Sequence, residues 1–172
     1  MARLIIFIFW LIAYPVFAVN QTANQEPLDS QALAPAFDLR DLRGRGKRLD
    51  DYKGKVLLIN FWATWCAPCL AEMPDLVKLQ KVYGFRGLQI IGVTYPPQNP
   101  ARVRQIARRL KLNYPILFGN DKMAGDYNVG EVLPTSIVVD REGKIRARIL
   151  GILEPEEFDE KIRPLLVATS DK

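Results

Sequence analysis

Histidine is absent from the 172 residues, and cysteine occurs only twice, at Cys66 and Cys69. Without imidazole the chain has no Ser-His or Cys-His catalytic pair, no histidine-built zinc or copper site, and no Cys-X-X-Cys-His attachment point for a c-type haem. With both cysteines in one motif there is no disulfide framework, so the cysteine chemistry is confined to one place. Charge of neither sign dominates, since a net charge of +5 is too mild to mark a nucleic-acid binder. The N-terminal apolar run from Leu4 to Phe17 falls short of the roughly 18 residues expected of a spanning helix.

What is present is ordinary for a globular protein: 49% apolar and 25% charged residues. Met1 to Ala18 combines Arg3, the apolar run and a Val16-Phe17-Ala18 cleavage pattern. That is the layout of a secretory signal peptide, and it puts the domain outside the cytoplasm, in a bacterial periplasm. Left uncleaved, the same segment anchors the chain to a membrane. Residues 19–34 are polar and aperiodic and read as a linker, and 35–172 as a single folded domain.

The domain opens with a hairpin, Phe37–Leu39 against Lys47–Leu49 across the Gly44-Arg45-Gly46 turn. Val56 to Ala63 is a continuous apolar run and predicts a strand buried on both faces. From Leu70 to Tyr83, Leu70, Met73, Leu76, Val77 and Leu79 recur with helical spacing. Leu88–Tyr95 predicts a second buried strand. A helix begins at Asn99-Pro100, with Val103, Ile106, Ala107 and Leu110 inward and Arg102, Arg104, Arg108, Arg109 and Lys111 outward. The bland reading of those cations is a solvated face, and the sharper one a docking surface for an acidic partner or anionic headgroups. Tyr114–Phe118 is extended, Lys122–Tyr127 a short helix, and Thr135–Asp140 with Lys144–Leu150 an antiparallel hairpin turning at Glu142-Gly143. Pro155–Val167 closes the chain as a helix that Pro164 shortens or kinks.

Cys66 and Cys69 stand where the buried strand hands over to a helix. The helix N-terminus favours an anion, so the Cys66 thiolate is stabilised there. Cys69 lies one turn on, on the same face, near enough to close a disulfide. The pair reads as a redox dithiol in which Cys66 attacks and Cys69 resolves. Half of a zinc site is the competing reading, and the second pair of ligands it needs is missing.

Phe61-Trp62-Ala63-Thr64-Trp65-Cys66-Ala67-Pro68-Cys69 resembles the active-site segment of the thioredoxin superfamily. Leu70-Ala71-Glu72-Met73-Pro74, Ala34-Pro35-Ala36-Phe37-Asp38-Leu39 and Leu133-Pro134-Thr135 resemble its TlpA-like branch, periplasmic thiol-disulfide oxidoreductases that include cytochrome c maturation proteins. The resemblance implies an α/β thioredoxin fold: a mixed central sheet flanked by helices on both faces, with the N-terminal hairpin added. It implies that Glu72 is an active-site carboxylate handling a proton near the cysteines, against the reading as an exposed helix glutamate. Pro134, after Leu133, matches the cis-proline loop facing the dithiol. Trp65 becomes a substrate contact and Trp62 core, while Pro68 between the cysteines helps set how stable their disulfide is. Pro74 matches a kink in the helix. One departure is informative: thioredoxin carries a buried aspartate where this chain has Asn60, which cannot titrate, so Glu72 or water must take over.

The implied activity is reduction of disulfides in exported proteins, such as apocytochrome c, with a membrane thiol reductase as electron donor. No cofactor, metal or nucleic acid is implied, and a membrane only if the N-terminal segment stays uncut. Two alternatives stand beside it, a disulfide-forming oxidase and a Cu(I)-binding metallochaperone using both thiolates. A thiol peroxidase is disfavoured because that reactive cysteine belongs to a different motif.

Overall fold

The computed structural model describes residues 32–167. The signal segment, most of the linker and residues 168–172 lie outside the described residues. Seven strands form one sheet: β1 (Asp38–Asp41), β2 (Gly46–Arg48), β3 (Val56–Trp62), β4 (Leu88–Thr94), β5 (Ile116–Phe118), β6 (Thr135–Val139) and β7 (Ile145–Leu150). Five helices accompany them: α1 (Ala67–Tyr83), α2 (Pro100–Arg109), α3 (Asp121–Asp126), α4 (Pro155–Lys161) and α5 (Arg163–Val167). The strand order is β2-β1-β5-β4-β3-β6-β7. β3, β4 and β5 are parallel, while β1, β2, β6 and β7 pair antiparallel.

β3 is buried at all seven positions, as an unbroken apolar run at the centre of a two-sided sheet must be. Its alternation feeds two cores. Val56, Leu58 and Trp62 meet Met73 and Leu76 of α1, Val103 and Ile106 of α2, and Phe158 and Ile162 beyond β7. Leu57, Ile59 and Phe61 meet Phe37, Leu39 and Tyr52 from the N-terminal region and Met123 and Tyr127 around α3. Two successive crossovers, β3-α1-β4 and β4-α2-β5, step the same way along the sheet. Right-handed connections then put α1 and α2 on one face. Helices do cover both faces, α3 alone on the second.

The expected hairpin forms within two residues of its predicted ends, and Gly143 at φ 83° makes the β6–β7 turn where a side chain would be strained. Two details differ from the sequence expectation. The closing helix is split at Ile162 into α4 and α5, because Pro164 has no N–H and its ring collides with the carbonyl one turn back. On α1 the fully buried stripe is Cys69, Glu72, Met73 and Leu76, whereas Leu70, Val77 and Leu79 are half-buried flanks. α1 itself runs unbroken through Pro74.

Candidate active site

Cys66 caps the N-terminus of α1, at the carboxyl end of the central strand. Its sulfur accepts a hydrogen bond from the Cys69 backbone N–H at 3.2 Å. The two cysteines are joined as a disulfide with Cα atoms 5.3 Å apart, a separation that one helical turn supplies without bending the backbone. Cys66 is 5% exposed and Cys69 fully buried, so a partner reaches Cys66 first. Ala67 and Pro68 between them are exposed, with Pro68 early in the helix where its missing N–H costs nothing.

Glu72 follows one turn after Cys69 and is only 3% exposed. It occupies a core position of α1, and the sheet supplies its partners. Strand alternation turns Asn60 to the same face as Val56, Leu58 and Trp62, the face that α1 covers. Asn60 pairs across the ladder with Ser136 of β6, so Ser136 points the same way. The Asn60 amide nitrogen donates to Glu72 Oε1 at 2.7 Å and to Ser136 Oγ at 3.0 Å. The backbone N–H of Leu153, beyond β7, donates to Glu72 Oε2 at 3.2 Å. Burial pushes the Glu72 carboxyl up from 4.5 to about 7, and the bonds from Leu153 and Asn60 only partly offset it.

The rim is apolar. Trp65 is 66% exposed beside Cys66, whereas Trp62 is wholly buried. The Leu133–Pro134 peptide bond is cis, with Leu133 half-buried and Pro134 buried. The Pro134 carbonyl accepts from Gly151 N–H at 2.8 Å, which ties this loop to the segment that carries Ile152 and Leu153. Val132 and Ile152 add exposed apolar surface on that side. On the other side Gln98 Oε1 accepts from the Thr64 hydroxyl at 2.6 Å and its N–H at 3.2 Å, beside a second cis bond, Tyr95–Pro96.

Cys66, Cys69, Glu72, Trp65, Pro68, Leu133 and Pro134 thus all fall at one end of the sheet, around the strand-to-helix junction. Sequence reasoning missed Ser136, the Leu153 N–H, Gln98 and the second cis-proline. Ser136 is recoverable only once the β3–β6 register is known. The Leu153 bond spans 81 residues and has no local signal at all.

Residues 31–148 match the model of the AhpC/TSA family. The chain is 34% identical over 155 residues to the thiol-disulfide oxidoreductase ResA of Geobacillus thermodenitrificans, covering 90% of this chain and 87% of that one. It is 35% identical over 161 residues to the thioredoxin-like protein YneN of Bacillus subtilis, covering 91% and 94%. Among solved structures it is similar to a thiol:disulfide interchange protein of the thioredoxin family from Chlorobium tepidum, with a TM-score of 0.72, 28% identity and coverage of 79% and 97%. A seven-stranded thioredoxin-type sheet, a Cys-X-X-Cys disulfide at the head of its central helix and relatives of this closeness place the chain in the AhpC/TSA family, as a thiol-disulfide oxidoreductase.

Proposed function

We propose that the protein reduces disulfides of exported proteins in a bacterial periplasm, with Cys66 as nucleophile, Cys69 as resolving thiol and Glu72 as the proton acceptor for Cys69. The observation that carries this reading is the buried Glu72 carboxyl, one turn from the buried Cys69, with its acidity moved to about 7. Trp65, Pro68, Leu133 and Pro134 form the surface on which the substrate segment lies, and the edge of the cis-proline loop pairs with its backbone.

In the reduced protein the α1 N-terminus and the Cys69 N–H favour a thiolate at Cys66. Cys66 sulfur attacks one sulfur of the target disulfide, a mixed disulfide forms, and the other target sulfur leaves as a thiolate. Glu72 takes the proton of Cys69. The Cys69 thiolate then attacks Cys66 sulfur, which closes the Cys66–Cys69 disulfide and releases the second target sulfur. Two electrons have passed to the target, and its two thiolates take up the proton held by Glu72 and the one that Cys66 gave to solvent. A carboxyl near neutrality suits this work, because it is partly ionised yet basic enough to accept the thiol proton.

Apocytochrome c awaiting haem attachment is the substrate that the TlpA-like resemblance points to, with a membrane thiol reductase restoring the dithiol. The direction of electron flow is tested by the reduction potential of the pair, equilibrated in thiol buffers and followed by tryptophan fluorescence. A value toward the thioredoxin end, about −270 mV, is expected, and one near about −120 mV reverses the reading to disulfide formation.

A further inference from the structure

From Leu76 to Asn120 the chain carries eight lysines and arginines and not one aspartate or glutamate. Five of these cations, Arg102, Arg104, Arg108, Arg109 and Lys111, lie on α2 and the residues just after it, all exposed. None of the five takes part in an ion pair among the described residues. A merely solvated face ordinarily mixes both signs. Five acids, Glu154, Glu156, Glu157, Asp159 and Glu160, gather instead on or beside α4, beyond the opposite edge strand β7, and Asp41 of β1 is taken up by Arg45.

Position gives the basic face a role. α2 starts directly after Gln98, the residue bonded to Thr64 two positions before Cys66. Arg102 and Arg104 therefore stand in the first turns of a helix that leaves from the rim of the disulfide. α2 then leads into β5, which pairs with β1, so the β1–β2 hairpin with Arg43 and Lys47 continues the same surface. A cleft of 420 Å³ lies between the hairpin and the segment that follows α2, with Arg43, Lys47 and the Arg45–Asp41 ion pair on one wall and Leu112 and Tyr114 on the other.

We propose that this face, running from the disulfide rim along α2 to the β1–β2 hairpin, docks an acidic segment of the disulfide-bearing partner protein. It rests on the reductase reading above and adds a substrate class to it: partners whose target cysteines are flanked by Asp and Glu. A polypeptide partner fits better than anionic lipid, because the face begins at the rim where Cys66 must be approached, and a membrane lying on it would obstruct that approach. At physiological ionic strength charges are felt over about 8 Å. Arg102 and Arg104 then hold the docked segment, and the whole face steers encounter at low salt.

The test uses the full chain in nonionic detergent, reduced with dithiothreitol and freed of it. It is mixed with three disulfide-bridged peptides of one length and one cysteine spacing, flanked by Glu, Gln or Lys. Closure of Cys66–Cys69 is followed by tryptophan fluorescence as each peptide gains two electrons and two protons. At low salt the Glu peptide is expected to react about tenfold faster than the Lys peptide, and high salt should erase the gap. Arg102→Glu with Arg104→Glu should level or invert the preference, and Arg102→Lys with Arg104→Lys should keep it. Equal rates for the three peptides, with the Gln peptide reduced normally, overturn the docking proposal alone. Failure to reduce any of them removes the reductase reading and the proposal with it. If the arginine pair instead governs binding to phosphatidylglycerol vesicles and leaves the peptide preference untouched, the face belongs to headgroups and the proposal is wrong.

Discussion

Glu72 is a charged residue type at a core position, and the molecule accommodates it with two hydrogen-bond donors rather than with exposure. A buried carboxyl left without donors costs several kcal/mol in its charged form. The Asn60 amide and the Leu153 N–H reduce that cost without removing it, so the group titrates near neutrality. If Glu72 accepts the Cys69 proton, its ionised form is the active one, and resolution of the mixed disulfide speeds up as pH rises through about 7. Glu72→Gln should slow that step by about a hundredfold and abolish the inflection, measured by stopped-flow decay of a preformed mixed disulfide. Cys69→Ser should stop the reaction one step earlier and accumulate the mixed disulfide, visible by mass spectrometry. Rapid release of the target from that variant would remove Cys69 from its resolving role.

At the scale of elements, close approach between neighbours fixes where side chains can be added. Gly119 directly follows β5, and its N–H donates to the Thr94 carbonyl of β4 at 3.1 Å. A Cβ at that position would lie 2.6 Å from the Thr94 carbonyl oxygen, a backbone atom that cannot step aside. Gly119→Ala should therefore cost about 1–3 kcal/mol of stability. A Cβ at Gly125 in α3 would meet no atom within 4 Å, and the backbone there is not left-handed. Gly125→Ala should act with the opposite sign, adding about 0.5–1 kcal/mol through helix propensity. Urea unfolding of the two variants beside the parent checks both, and a shared sign would refute the packing account.

For the whole molecule, ionisation links the site to stability. Glu72 has a folded pKa raised above its ordinary value by burial, so the native state holds a proton more tightly than the unfolded chain. Stability then falls as pH rises between about 4.5 and 7, by at most about 3 kcal/mol, and levels off above. Asp41 and Asp140 behave oppositely. Both are buried, which alone would raise them. Backbone N–H bonds and an arginine each, Arg45 for Asp41 and Arg146 for Asp140, more than reverse this and hold both below 3.8. Their contribution is present above that value and lost as pH falls through the depressed range. The oxidised protein should be most stable near about pH 4–5, by urea unfolding across the range, and Glu72→Gln should flatten the alkaline limb. An unchanged alkaline limb in that variant would detach Glu72 from it.

The sequence by itself determined the redox pair, the order of the strands and the face that α2 buries, because these follow from contiguous motifs and from periods of two and 3.6 residues. Phe61-Trp62-Ala63-Thr64-Trp65-Cys66-Ala67-Pro68-Cys69 carried the likeness to the superfamily and its chemistry, and three further stretches carried the likeness to one branch. Only the tertiary structure decided what surrounds Glu72. Its partners come from β3 and from beyond β7, and the register of β3 against β6, which sets Asn60 opposite Ser136, is a long-range fact that no local pattern encodes. Charge followed the same division. The run from Leu76 to Asn120 without an acid is plain in the sequence, but its placement at the rim of the disulfide depends on the crossover that carries α2 down from Gln98 and on the pairing of β1 with β5. Local chemistry is written along the chain. Electrostatic neighbourhood is a property of how distant segments are brought together.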